Sequence, residues 1–362
     1  MNLLIPNLGS TSLKYQLLEM PSERVLARGK AERVFDYKAA ISAMDLGGVQ
    51  VDAVAFKAVH AGPKYRGTFV IDDGVVAAIE EFLPAAPAHN AIYLTGIRAF
   101  REAMPGTPLL AAFETEFHDT MPEAAARYGV PTDWCEQYGV RKYGFHGASH
   151  QFVGEYVAAS MGRPVRVVSC HLGGSSSMCA IDRGRSIDTT MGFSPQSGLE
   201  NATRHGDLDV FAVLYMMRRC GLSIEQVSSQ LAGEGGLAGL SGIPGGDVRD
   251  LEKAIAEGSE AAALALDVFV YEVKKTIGAY AAAMGGLDAI AFTGGIGENS
   301  AGLRARCCQG LEFLGVHMDA ALNQQGGIVS SAESKVLVMT LQTNEELIVA
   351  RRAYRELTGR AA

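Results

Sequence analysis

The 362-residue chain has no apolar run approaching the ~20 residues that span a bilayer, which excludes a helical membrane anchor as its organising feature. It has no basic block or tail, and its formal net charge of −8 argues against nucleic acid as a partner. Its six cysteines, Cys135, Cys170, Cys179, Cys220, Cys307 and Cys308, include no C-x-x-C pair, and several lie inside apolar segments. They read as reduced thiols of a cytoplasmic protein rather than disulfides or zinc ligands. The opening residues, MNLLIPNLGS, lack a basic leader and a small-residue cleavage site, so they read as a strand and not as a secretory signal. His146 and His150 stand four apart, but no third ligand lies near them in sequence, so no metal is assigned there. No low-complexity or linker segment interrupts the chain, which implies domains in close contact.

What the chain does have is enough apolar content, 48%, to fill two cores. It also repeats a pattern. Residues 2–19 read as strand, Gly/Ser turn (PNLGSTS) and strand; residues 165–183 read as strand (VRVVSC), turn (HLGGSSS) and strand (MCAIDR). Setting Asn7 on His171 places Leu8-Gly9 over Leu172-Gly173 and Ser12 over Ser176. Two halves that each open with a hairpin predict a duplication, two related α/β domains facing one cleft.

The segment 51–62 (VDAVAFKAVHAG) reads as a buried strand entering a loop, and 75–90 as a helix closed by prolines with His89 and Asn90 in the following loop. Residues 107–122 (TPLLAAFETEFHDTMP) read as a second buried strand. In open α/β sheets ligands gather beyond the carboxyl ends of strands, where Lys57, His60, Glu114 and His118 fall. Residues 251–284 read as one long helix with Leu266, Phe269, Val270, Val273, Ile277 and Tyr280 on its core face. Residues 287–300 (LDAIAFTGGIGENS) read as strand, glycine turn and helix start. The last helix starts at TNEE, with Thr343 and Glu346 as a capping box.

Backbone amides in glycine turns approach phosphate closely, and serine hydroxyls add short donors. One such loop per domain can hold a polyphosphate between them, and the glycine turns at 233–246 and 294–297 can form a nucleoside pocket. Phosphoryl transfer further needs cations around the equatorial oxygens and a carboxylate for Mg²⁺. Arg204 and Lys57 supply the first requirement; Glu114 and Glu345 are candidates for the second.

These segments carry a resemblance. NLGSTSLKYQLLE, FETEFHDTMP, RKYGFHGASH, CHLGGSSS, DTTMGFSPQSGL, FTGGIGENS and TNEEL, in this order, resemble the acetate kinase family of the actin/hexokinase/Hsp70 superfamily. The resemblance implies two ribonuclease-H-like domains with a cleft between them: residues 1–115 plus 342–362, and residues 116–341. It implies an ATP-dependent, reversible carboxylate kinase that makes an acyl phosphate and ADP with Mg²⁺, and a homodimer. Position by position, it implies Asn7 and Glu345 near Mg²⁺; Ser10, Ser12, Lys14, His171, Gly173, Gly174 and Ser175 in the phosphate loops; and Asp247, Arg249, Gly295, Ile296 and Gly297 around the nucleotide. Lys57, Glu114, His146 and Arg204 fall at catalytic positions, His89 beside the acid, and Val59, Ala88, Phe145 and Pro195 along its alkyl end.

The chain departs from the family's pattern at sites that matter. Lys57 stands where the family's HRVVHGG has its arginine, which keeps the charge and loses the planar fork. Glu114 replaces the aspartate of FDTAFH, Gly174 the asparagine of HLGNG, and Ala88 a pocket leucine. The segment 30–55 is shorter, and the 244–247 loop (PGGD) is one residue longer. Two readings follow: a carboxylate kinase whose acid is larger than acetate, or a catalytically impaired nucleotide-binding relative. A sugar or polyol kinase would need a set of Asp/Asn groups in the cleft that the sequence does not assemble.

Overall fold

The computed structural model describes residues 1–9 and 11–360, with the backbone but not the side chains of residues 87–89. Its frame is two mixed sheets. The first contains β1 (Asn2–Gly9), β2 (Ser12–Glu19), β3 (Arg24–Glu32), β4 (Ala53–Ala58), β5 (Thr68–Val70) and β6 (Leu109–Phe113), in the order β3-β2-β1-β4-β6-β5. The second contains β7 (Arg166–His171), β8 (Ser177–Asp182), β9 (Arg185–Thr189), β10 (Ala289–Thr293) and β11 (Leu337–Thr340), in the order β11-β10-β7-β8-β9.

Both sheets follow one plan. An antiparallel meander (β1-β2-β3, β7-β8-β9) leads into strands parallel to its first member (β4 and β6, β10 and β11). The repeated hairpin is thus the visible end of a repeated topology. The central strands β6 and β10 are buried throughout and β4 all but Lys57, because helices cover both faces of each sheet. On the first sheet the helix Pro87–Ala103 packs Leu94, Ile97 and Phe100 against one side, and the helix Glu345–Thr358 packs Val349, Ala350 and Ala353 against the other. On the second, Glu260–Ala283 contributes Phe269, Val273 and Ile277, and Gly147–Met161 contributes Val153 and Val157 to the opposite face.

Four local expectations are corrected. The reach 251–284 is two helices, Val248–Ala256 and Glu260–Ala283, because Gly258 turns at φ 94° and Ser259 caps the second one. Residues 89–90 are not in a loop: Pro87 takes the first helical position, where its missing N–H costs nothing, and the helix runs to Ala103. The last helix is capped by Asn344, whose Oδ1 accepts from the Leu347 amide at 3.0 Å, and not by a Thr343–Glu346 box. The glycine stretch 233–246 is interrupted by a helix, Gly236–Ser241. The cysteines are free, with Cys170, Cys179, Cys307 and Cys308 buried and Cys220 exposed. Among the described residues no helix is long and apolar enough to cross a membrane.

Candidate active site

The two hairpin turns differ in build. In the first, Gly9 at the end of β1 pairs with Ser12 at the start of β2, with Lys14 exposed on β2 opposite Asn7; Ser10 lies outside the described residues. The second is a longer loop between His171, the last residue of β7, and Ser177. It is braced from within and from behind. Ser176 Oγ accepts from the Gly173 amide at 3.1 Å, the Ser176 amide donates to Asn201 Oδ1 at 2.5 Å, and the Ala202 amide donates to the Gly174 carbonyl at 3.0 Å. The amides of Ile296 and Gly297 both donate to the Leu172 carbonyl, at 2.9 and 3.1 Å, which ties the turn after β10 to this loop.

Beside these two turns opens a cavity of about 610 Å³, lined by Gly173, Gly174, Asp247, Arg249, Gly295 and Ile296 together with Glu252, Asn299 and Ser300. A Cβ on Gly174 or Gly295 would meet nothing within 4 Å, and neither has a left-handed backbone. Their lack of a side chain is therefore demanded by neither packing nor backbone; it keeps a wall of main chain open to whatever fills the cavity. Gly294 contrasts: its φ is 78°, and a Cβ there would strike the Leu172 carbonyl at 2.6 Å. Asp247 pairs with Arg249 at 2.6 Å at the rim. The sequence reading missed Glu252, Asn299 and Ser300, although Glu252 follows Arg249 by one helical step of three and Asn299-Ser300 directly follows the GGIG turn.

Beyond the loop, four predicted groups converge. The His146 ring stacks on His171, with centroids 4.3 Å apart and planes 22° off parallel. His146 Nδ1 meets Ser177 Oγ at 2.8 Å and its Nε2 meets Ser175 Oγ at 3.3 Å. Arg204 donates through Nη2 to that same Ser175 hydroxyl and through Nη1 to the Pro195 carbonyl at 2.8 Å. Ser175 thus faces the Arg204 guanidinium and the His146 ring rather than the cavity. His150, whose ring nitrogens meet Ser169 and Ser177 at 2.8 Å each, supports the cluster from below. Val59 and Phe145 share one core cluster, and Pro195 is buried. Ala88 and His89 lie in the first turn of the helix Pro87–Ala103, and their side chains fall outside the description.

Lys57 forms an ion pair with Glu345. Burial opposes the Lys57 charge, but Glu345 and then Glu114 outweigh it and hold the ammonium well above its ordinary range. Burial likewise opposes the Glu345 carboxylate, and Lys57 and His171 pull it below the usual value. Glu114 differs: it is 4% exposed, and among the described residues neither of its carboxylate oxygens has a hydrogen-bond partner. Burial raises it to about 7, against the pull of Lys57. Asn7, Lys57 and Glu346 line a crevice beside these groups.

Among the described residues no three His, Cys, Asp or Glu side chains form a metal cluster by themselves. Mg²⁺ asks for less, since it keeps several waters and takes one or two carboxylates beside phosphate oxygens. The buried Glu114 carboxylate with its bare oxygens, the half-buried Glu345 carboxylate and the Asn7 amide suit that hard ion.

The buried rings give a pH prediction. Burial holds His60 and His118 at about 4, and His146 and His150 well below the histidine value of 6.5. Unfolding returns them to 6.5, so between pH 6.5 and 4 the unfolded chain binds more protons and stability falls as the pH drops. Glu114 has the opposite sign, because its folded carboxyl keeps a proton from 4.5 up to about 7; its contribution is lost as the pH rises. Four rings outweigh one carboxyl. The thermal midpoint should fall from pH 6.5 to 4.5, and Glu114→Gln should steepen the fall; a flat midpoint would contradict the neutral rings.

Two mixed sheets of one topology, with glycine loops beside Arg204 and His146, define a duplicated α/β fold of the phosphotransferase kind. Comparison with known proteins narrows this. The model of the acetokinase family matches residues 43–351, and the chain belongs to that family. It is 42% identical to an acetate kinase of Geobacillus kaustophilus over 95% of this chain and 96% of the relative. Among solved structures it is similar to Porphyromonas gingivalis acetate kinase, with 35% identity and a TM-score of 0.87 over 99% of this chain and 100% of the other. A propionate kinase from Francisella tularensis matches with 30% identity and a TM-score of 0.88, over 97% and 98% of the two chains.

Proposed function

We propose that the chain transfers the γ-phosphoryl group of ATP, reversibly, to the carboxylate of a short-chain acid larger than acetate, giving an acyl phosphate and ADP. The observation that carries this is the convergence of Arg204, His146 and Ser175 beside the open-glycine cavity. In this reading residues 1–115 with 342–362, and residues 116–341, are the two lobes. ATP lies with its nucleoside in the cavity bounded by Asp247, Arg249, Gly295 and Ile296, near Gly297. Its phosphates run along Gly173, Gly174 and Ser175 toward Ser10, Ser12, Lys14 and His171. Arg204 and Lys57 balance the charge of the transferring oxygens. His146, neutral because of its burial, orients them by hydrogen bonding. Val59, Ala88, Phe145 and Pro195 enclose the alkyl end of the acid, and His89 its carboxylate. A carboxylate is already a nucleophile, so no strong base is needed; Glu114 orients. Asn7 and Glu345, with Glu114 near, would hold Mg²⁺, which would supply positive charge against the transferring phosphate.

Acyl phosphate trapped as hydroxamate, across acetate, propionate, butyrate and substituted acids, tests the reading. The expected order puts acetate below a larger acid. Clear acetate preference would overturn the enlarged pocket, and nucleotide binding without turnover on any acid would support the impaired relative instead. A second outcome separates fold from function. Gly174→Val or Gly295→Val should leave the thermal midpoint within a few degrees, since each side chain enters open space, and should weaken ADP binding at least about tenfold by calorimetric titration, through a clash that only the ligand experiences. Unchanged affinity would remove both positions from the site.

The same reading assigns a homodimer. The helix Val210–Cys220 buries none of its residues and exposes Phe211 to 73% and Tyr215 to 63%. A second copy of the chain is the assigned cover, and light scattering should then give twice the 38.3 kDa of one chain. Free thiols support a cytoplasmic setting.

A further inference from the structure

Two turns after Glu345, the C-terminal helix carries another charge on its inner face. Arg352 is 2% exposed. Its Nε and Nη2 both donate to Gln151 Oε1, at 3.0 and 2.6 Å, and its Nη1 donates to the Phe113 carbonyl at 3.2 Å. Glu116 Oε2, 3.7 Å from Nη1, is the counter-charge, and it already accepts from Thr68 Oγ1 at 2.6 Å. Each contact leads to the cleft. Phe113 ends β6 and immediately precedes Glu114. Gln151 stands on the helix Gly147–Met161, whose N-cap is His146. The Glu114 carbonyl accepts from the Gly147 amide at 3.1 Å, and the Glu114 amide donates to the Ala58 carbonyl, next to Lys57, at 2.8 Å.

A buried guanidinium is costly to desolvate, and an apolar side chain could fill this position with less loss. What no apolar side chain supplies is a planar fork that fixes a strand end and a helix at once. We propose that Arg352 is a positioning residue for the phosphoryl-transfer site: it locks the helix that presents Glu345 to the strand end that presents Glu114 and to the helix that starts at His146. The inference rests on the carboxylate-kinase reading.

The test uses Arg352→Met and Arg352→Lys in the full chain. Amide hydrogen exchange of residues 113–114 and 147–151, measured without nucleotide or acid, reads the clamp even if no acid is phosphorylated. For Arg352→Met, kcat should fall about tenfold or more with the nucleotide KM within about twofold, and exchange at those residues should quicken about tenfold or more. Arg352→Lys, which keeps the charge without the fork, should still lower kcat. If Arg352→Met lowers only the melting temperature, with kcat and local exchange unmoved, Arg352 is a clamp for stability and the proposal falls. If Arg352→Met does not fold, wild-type turnover in Arg352→Lys overturns it.

Discussion

Arg204→Ala should lower kcat by about 10³-fold or more while leaving the dissociation constant for ADP within a few-fold of wild type. Removing one well-placed donor to developing charge costs about 10²–10³ in rate, and a full positive charge on a transferring phosphoryl group is worth more. The guanidinium is held in place before any ligand arrives, by the Pro195 carbonyl at 2.8 Å and by Ser175. Burial lowers its proton affinity from the ordinary guanidinium value, and a guanidinium remains charged at neutral pH. The cavity proposed for the nucleotide is lined by other residues, among them Gly173, Asp247 and Ser300, so ground-state binding should survive. The pair of measurements is steady-state turnover on the best acid and calorimetric titration with ADP. A parallel loss in both would make Arg204 a binding residue and remove its catalytic role.

Lys57→Met should cost about 10²–10³ in turnover and also several degrees of thermal stability. Without the ammonium, Glu345 and Glu114 keep like charges close together, with Arg352 behind Glu114 as the remaining counter-charge, and breaking a buried pair by deleting one partner typically costs about 3–5 kcal/mol. Part of that cost is relieved by protonating Glu114, which already holds its proton to about 7. The double effect separates Lys57 from Arg204, whose loss strands no carboxylate. Lys57→Arg restores both the charge and a fork able to reach two oxygens, and should recover most of what Lys57→Met loses. Wild-type turnover in Lys57→Met, by the same hydroxamate assay, would show that the pair with Glu345 is only structural.

Much of this was legible in the sequence because it depends on short local signals. The hairpins at 2–19 and 165–183 announce themselves by strand, glycine turn and strand, and the shared strand order of the two sheets extends that likeness through β4, β6, β10 and β11. Asp247, Arg249, Gly295 and Ile296, which the family resemblance groups around a nucleotide, line one cavity. Elements set by a single capping group were harder. Ser259 and Gly258 divide a continuous apolar periodicity into two helices, and Asn344 displaces Thr343 as the cap because its amide oxygen reaches the Leu347 amide. Prolines at 84 and 87 read as a stop, yet Pro87 opens a helix. Long-range pairings gave no local signal at all. Nothing near Lys57 in sequence points to Glu345, and nothing near Arg352 points to Phe113 and Gln151.

The central claim is that one cleft between the two lobes brings a nucleotide's terminal phosphate to an acid held beside Arg204. A crystal structure with Mg-ADP, a planar phosphoryl mimic such as aluminium fluoride, and the preferred acid tests it most directly. The account predicts the nucleoside against Gly174 and Gly295, and the mimic between Arg204, His146 and Lys57 in line with the carboxylate of the acid. A nucleoside bound away from those glycines, or a mimic out of reach of Arg204, would contradict it.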